Sequence, residues 1–485
     1  MIDIEDFAAE LVCGRDTLML GGSRQKEGSF RRIVELWRDV RPERALVVFD
    51  YSGRLYERFD GEPLLADFSS GGSLIPDMIE PFVLNENIGS DSRNIAYSIR
   101  QAAYQEIKSR DANDKFFDDL GKLLTDRMFV YMLETEKNVL RNLASGLKGG
   151  GEAMLESAAA RNLFTIFCRQ HQYVESLMTK AIGGESGALP VRQRLIEAEA
   201  RSPFLTREEA LAAYILRHEL RFQKNGDRDA PVPFADLLFT NSDNTNTQRC
   251  IKMQADASTA DFRALVSLVV NNAASLCSLP TLKLGGYLAA PQGRPLFVCS
   301  SGSSSVDRGF APLLIAALGA AAQNEKHGAV ILIPELDRWG LINYLDKFRQ
   351  SWRRLSFTFG YDNFSRLSLD SRAEEGQLIE SLYSSSSRRI WHATKEERLN
   401  KAFASYVSEA DVIYRPDDLD EDIRAVEEEG HVRYVSLEER PAGKPLRGRV
   451  RLSREGGASS LWLTKGAARR EKLTLESLLE DGDRL

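Results

Sequence analysis

A glutamate directly behind a short apolar run is the first place in this chain where chemistry could occur. Ala329–Ile333 (AVILI) is β-favouring throughout and bounded by Gly328 and Pro334; Glu335 follows, then Asp337 and Arg338. A continuous apolar run of this length fits a strand buried on both faces of a parallel sheet. In open α/β sheets, ligands bind outside the carboxyl ends of the strands, where Glu335 would stand. A glutamate there could activate water against a phosphoryl group, normally beside an aspartate that helps to hold Mg²⁺. Pro334 occupies the aspartate position.

The second candidate lies near the N-terminus. Thr17–Leu20 (TLML) runs into Gly21-Gly22, then SRQKEGS, then a helical pattern from Phe30 to Arg38. Strand, glycine-containing loop and helix form the setting of a phosphate-binding loop, in which backbone N–H groups wrap the phosphates and a lysine reaches the terminal ones. With Ser29 at the Ser/Thr position, Gly22 becomes the first glycine. Glu27 then falls on the second glycine and Gly28 on the lysine, while Lys26 sits two positions early. Both substitutions oppose a polyphosphate, and a plain strand–turn–helix corner explains the same residues. Asp50, ending the apolar run Ala45–Asp50 (ALVVFD), either binds a ligand or caps a turn, its more usual role.

The elements around these residues suggest several domains. The chain has 485 residues, and its 43% hydrophobic and 28% charged content is ordinary for a globular protein. A net charge of −7 argues against a protein coated for nucleic acid. Five scattered cysteines without a CxxC pair and five dispersed histidines make free thiols the expectation and a zinc site improbable. The acidic N-terminus does not fit a signal peptide, and Phe310–Ala322 is too short to span a membrane. The expected location is cytoplasmic.

In order, residues 1–90 read as the first part of an α/β domain, with Pro63–Phe68 as a further strand. Residues 91–280 read as an all-α insertion, because apolar residues recur there at helical spacing. Residues 281–437 resume the α/β domain. They contain strands at Pro295–Ser300, Ala329–Ile333, Leu355–Gly360 and Arg389–Trp391, and helices over Phe310–Gln323, Leu341–Trp352 and Lys395–Tyr406. The serine-rich SSGSSS after the first of these strands reads as a chain turn. Residues 438–485 form a basic, β-rich extension: Arg440–Lys472 holds ten Lys/Arg against two Asp/Glu. Its expected strands are Gly448–Leu452 and Ser460–Leu463. The extension could contact phosphate backbones, or be a solvated edge hairpin protected by its charges.

The order of these parts resembles the TraD/TraG-type coupling proteins of conjugation and type IV secretion, P-loop ATPases of the FtsK/HerA kind. The residues carrying the resemblance are TLMLGGSRQKEGSF, VVFDYSGRLYERF where the family has Asp-x-x-Gly-Glu, DKFFDDLGKLLTDRM, LFVCSS, VILIPELDRWGLINYLDKF at Walker B, FTFGYDNFSRL and SSRRIWHATKEERLNKAFASYV. The resemblance implies an α/β, P-loop NTPase-like (RecA-like) parallel sheet flanked by helices, with a large all-α insertion domain. It also implies that the phosphate-loop strand lies beside the Walker B region. By the same comparison, Gly28 replaces the phosphate-loop lysine, Pro334 the Walker B aspartate, Asp362 the glutamine that senses the γ-phosphate, and Arg366 a second glutamine. Glu335, Ser29, Asp50 and Gly53 match the pattern, and the family's N-terminal membrane helices have no counterpart.

The leading expectation is a catalytically degenerate relative of a coupling ATPase that needs no cofactor. It would act as scaffold, adaptor or regulator for substrate recruitment in a conjugation or secretion apparatus. Its expected partners are apparatus proteins, including an active coupling ATPase. It would be cytoplasmic or recruited to the inner face of the membrane without inserting, and able to form oligomers. One alternative is an active ATPase that binds ATP and Mg²⁺ through Lys26 or Arg24 and uses Glu335. Another is a DNA-binding accessory protein using Arg447, Arg449 and Arg451.

Overall fold

A computed structural model of the chain describes residues 17–20, 23–40, 44–68, 74–88, 91–104, 112–146, 162–182, 245–276, 279–325, 328–341, 344, 354–361, 388–392, 434–435, 449–451 and 460–464. The elements open with β1 (Thr17–Leu20), α1 (Ser23–Val40), β2 (Ala45–Asp50), α2 (Arg54–Glu57) and β3 (Leu64–Ala66). Next come β4 (Ile75–Pro76), α3 (Glu80–Leu84), α4 (Ser92–Ala103), α5 (Ala112–Gly146), α6 (Leu163–Ile182) and α7 (Thr245–Ser258). They continue with α8 (Ala260–Asn271), α9 (Ala273–Leu276), β5 (Thr281–Leu282), α10 (Leu284–Ala289), β6 (Leu296–Cys299) and α11 (Ser304–Ala322). The last are β7 (Ala329–Ile333), β8 (Leu355–Tyr361), β9 (Arg388–His392), β10 (Tyr434–Val435), β11 (Arg449–Arg451) and β12 (Ser460–Thr464). The helices expected over Leu341–Trp352 and Lys395–Tyr406 fall outside the described residues, apart from Leu341 and Tyr344.

Two compact units result. The first comprises Met1–Ala66, Gly286–Ser300 and Glu325–Leu485; the second comprises Asp67–Gly285 and Ser301–Asn324. The helical unit thus begins at Asp67 rather than residue 91. It also takes in α11, which the sequence reading assigned to the α/β part.

The first unit is built on a ten-stranded sheet in the order β10-β11-β12-β9-β1-β8-β7-β2-β6-β3. From β9 to β3 all neighbours are parallel. β12, β11 and β10 add to the β9 edge as antiparallel strands. This is the P-loop NTPase-like α/β architecture, a parallel sheet with a strand–helix unit at the expected phosphate-loop position. One expectation needs correcting: β1 does not pair with β7, because β8 lies between them, with Leu18 opposite Phe359 and Ile333 opposite the same residue. That arrangement needs a long-range crossover, which local sequence does not encode.

The sheet core explains how α1 is seated. Phe30, Ile33, Val34 and Trp37 recur at helical spacing and pack with Met19, Leu46, Val48, Val330 and Leu332. Each fully buried aromatic of this kind is worth roughly 1.5–3 kcal/mol over leaving it exposed. Strand β8 makes room for them, because its alternation separates Ser356, Thr358 and Gly360 from Phe357 and Phe359, whose rings stack 5.3 Å apart. A Cβ at Gly360 would lie 2.1 Å from the Pro334 carbonyl oxygen and 2.9 Å from the Phe30 ring. Glycine there lets the turn after β7 close onto β8, where Leu336 N–H donates to Gly360 O at 3.0 Å.

In the helical unit, a two-residue parallel pair, β4 with β5, is the sheet component among the described residues. Asp77, fully buried next to it, accepts from the backbone N–H groups of Ile79 and Glu80 at the start of α3 and of Leu163 and Phe164 at the start of α6. Lys283 Nζ reaches the same carboxylate at 3.0 Å and Glu80 at 2.7 Å. One side chain therefore caps two helices. Helix α11 crosses α8 closely at Gly309, where a Cβ would meet Asp261 O at 2.4 Å. Among the described residues, α11 is the one helix long and apolar enough to cross a membrane, and 89% of that stretch is buried inside the protein.

Candidate functional site at the carboxyl edge of the sheet

Strand order locates the crevice. From β1 the chain runs through α1 to β2, whereas from β8 it proceeds to β9 on the other side of β1. Connections leaving adjacent strands in opposite directions define a topological switch point, and ligands bind outside the carboxyl ends there. The relevant groups are therefore those after Leu20 and Tyr361, together with those ending β7 and β2.

The loop expected after β1 is largely helix. Strand β1 ends at Leu20 and α1 begins at Ser23, so two residues remain between them. Ser, Arg, Gln, Lys and Glu all tolerate a helix well, and Gly28 is the single weak residue of the segment. Gly28 and Ser29 consequently lie inside α1, where each N–H bonds the carbonyl four residues back and is not offered to an anion. Ser29 is buried and its Oγ has no hydrogen-bond partner. Lys26 is in the helix by its backbone, but its side chain, like Gly22 and Asp362, lies outside the described residues.

Glu27 extends from the same helix toward α2. Its two carboxylate oxygens pair with Arg54 Nη1 at 3.4 Å and Arg58 Nη1 at 3.2 Å. Sequence reading singled out the acid but not the two arginines. Their four-residue spacing along α2 and its C-cap was the available signal.

Asp50 behaves as a cap. It is buried at the end of β2, accepts from Tyr56 N–H at 2.9 Å and receives the Ser52 hydroxyl at 3.3 Å. Its backbone carbonyl accepts from Gly53 N–H, and Gly53 takes φ 74°, the left-handed conformation that glycine tolerates. Burial holds its carboxyl above the ordinary range, although these hydrogen bonds pull the other way.

The turn after β7 folds over the end of β2. Trp339 is fully buried, donates its indole N–H to Phe49 O at 3.2 Å and meets the Phe49 and Tyr51 rings edge-on at 5.5 and 5.4 Å. Arg338 lies over the Tyr51 ring at 5.3 Å and pairs with Glu335 at 3.4 Å. Glu335 is thus where the sequence placed it, and its carboxylate faces a guanidinium. Sequence reading gave Trp339 no role.

Glu27 and Glu335 pair with arginines, the Asp50 carboxylate accepts the Tyr56 N–H, and no group of three or more His, Cys, Asp or Glu suited to a metal occurs among the described residues. The proposed DNA contacts are spread over β11. Arg449 and Arg451 are in that strand by their backbones, and their side chains and Arg447 lie outside the described residues.

With the fold class in place, solved structures similar to this chain include three of coupling proteins. The unbound monoclinic form of the bacterial conjugative coupling protein TrwBdeltaN70 is 13% identical, with 81% of this chain and 72% of that one covered at a TM-score of 0.40. Plasmid coupling protein TrwB with the ATP analogue ADPNP is 13% identical over 81% and 74%, with a TM-score of 0.40. The same protein with the GTP analogue GDPNP is 12% identical over 79% and 70%, with a TM-score of 0.38. At these values the likeness carries no functional argument, and the fold class rests on strand order and register. No protein-family model matches the chain. No curated protein matches it either.

Proposed function

We propose that this protein is a non-catalytic relative of the conjugative coupling ATPases. It serves as a scaffold, adaptor or regulatory component in DNA transfer or type IV secretion, recruiting substrate or apparatus proteins. The observation that carries this reading is the two-residue gap between β1 and α1. It leaves the parallel sheet intact while turning the phosphate-loop segment into helix. Phosphoryl transfer depends on positioning phosphate and metal, and the N–H groups of Gly28 and Ser29, bonded within α1, contribute to neither. Glu335 alone, paired with Arg338, does not replace the missing groups.

Calorimetric titration with ATP, with and without Mg²⁺, tests the reading. The expected result is no saturable heat and no phosphate release above background. A measurable ATPase rate that disappears in Glu335→Gln would establish a motor instead. Capture of conjugation or secretion proteins by the isolated full chain, without nucleotide, is the expected positive result.

A further inference from the structure

Glu27 is held in a geometry that suits a different anion. Each of its carboxylate oxygens takes one guanidinium, Arg54 at 3.4 Å and Arg58 at 3.2 Å. The two arginine side chains are 64% and 59% exposed, while Glu27 is only 23% exposed. Two solvent-facing cations thus converge on a shielded acid. Gly53 turns the chain into α2, and the Asp50 carboxylate holds Tyr56 N–H between the two arginines, so their spacing is built in. Paired guanidinium groups are suited to phosphate oxygens at least as well as to a carboxylate. Exposed ion pairs are weak and screened by salt, which makes Glu27 easy to displace.

We propose that Arg54 and Arg58 form an anion site for a phosphate-bearing small molecule, and that Glu27 is its internal occupant, keeping it closed in the resting protein. The two arginines lie outside the degenerate loop, and Glu27 reaches them from it. The proposal rests on the reading above only in taking that loop to hold no phosphate of its own.

The test is titration of the full chain with inorganic pyrophosphate at low ionic strength, comparing the native protein with Glu27→Gln. Removing one competing carboxylate from two exposed pairs should tighten binding roughly tenfold. Adding Arg54→Ala and Arg58→Ala to Glu27→Gln should abolish the gain. Thermal melts by circular dichroism confirm that each variant is folded, and Glu27→Ala serves if the glutamine variant is not. Binding no tighter in the folded variant than in the native protein, or a gain that survives loss of both arginines, overturns the proposal. Vesicles of phosphatidylcholine with and without phosphatidic acid distinguish the source of the phosphate. A gain for the acidic vesicles without one for pyrophosphate overturns the small-molecule assignment. ATP hydrolysis that disappears in Glu335→Gln would sink the non-catalytic reading, whereas this inference stands or falls on the pyrophosphate gain.

Discussion

Glu27 and Arg54 are joined across 27 residues by an ion pair of 3.4 Å. Arg58 pairs with the other oxygen of the same carboxylate at 3.2 Å, so charges on elements distant in sequence compensate one another.

That compensation should appear in a double-mutant cycle. Glu27→Arg is expected to destabilise the fold, because three guanidinium groups then face one another. Combining it with Arg54→Glu should recover most of the loss. The coupling for such exposed pairs is expected near 0.5 kcal/mol in urea titrations and should fade at high salt.

Gly28 and Gly360 should respond oppositely to alanine. Nothing lies within 4 Å of a Cβ at Gly28. In the middle of α1, Gly28→Ala should therefore stabilise by about 0.5–1 kcal/mol. A loss of stability instead would show that residue 28 does not sit in regular helix. Gly360→Ala would press a methyl onto the Pro334 carbonyl at 2.1 Å and should cost about 2–3 kcal/mol. Melting temperatures of the two variants give the signs directly.

Asp77→Ala should be among the most damaging changes in the helical unit. It removes the acceptor of four backbone N–H groups at the starts of α3 and α6 and leaves Lys283 without this fully buried partner. A loss of about 3 kcal/mol is expected from the combined caps and the broken pair. Asp77→Asn, which keeps one acceptor oxygen, should lose less. Urea unfolding followed by helical circular dichroism provides the comparison.

His171 predicts an acid-sensitive contribution to stability. It is buried beside Phe129 and Phe262, with ring centroids 6.3 and 5.3 Å away, and neither ring nitrogen has a hydrogen-bond partner. Burial, followed by the nearby Arg263 and Lys252 charges, depresses its pKa from 6.5 to about 3. The unfolded chain therefore takes up this proton first, so stability falls as pH drops through the window from 6.5 to 3, by at most about 1.4 kcal/mol per pH unit. Carboxyls raised by burial, Asp50, Asp126, Glu175 and Asp261, act in the opposite direction, since the folded state binds their protons more readily. The difference between native protein and His171→Leu isolates the histidine. The native curve should fall more steeply below pH 6.5, and parallel curves would disprove the assignment.

Local patterns determined a good deal on their own. The strands Ala45–Asp50 and Ala329–Ile333 are found with the bounds read from their apolar runs, and β8 extends one residue past Gly360. Burial on both faces leaves a continuous apolar run that needs no partner to be recognised. Glu335 at the end of β7 followed from the same logic. The start of α1 was legible in principle, because SRQKE is a good helix former. Its likeness to a phosphate loop suggested otherwise.

Tertiary structure decided what those residues mean. Whether β8 separates β1 from β7, whether Asp77 caps a helix that begins 86 residues later, and whether Glu27 is an unmatched charge all depend on groups distant in sequence. Such contacts form only once the chain has bridged long loops, so no local periodicity announces them. The sequence determined the strands and the position of Glu335. Only the folded arrangement made the loop a helix seated by Phe30 against Gly360, and gave Glu27 its two arginines.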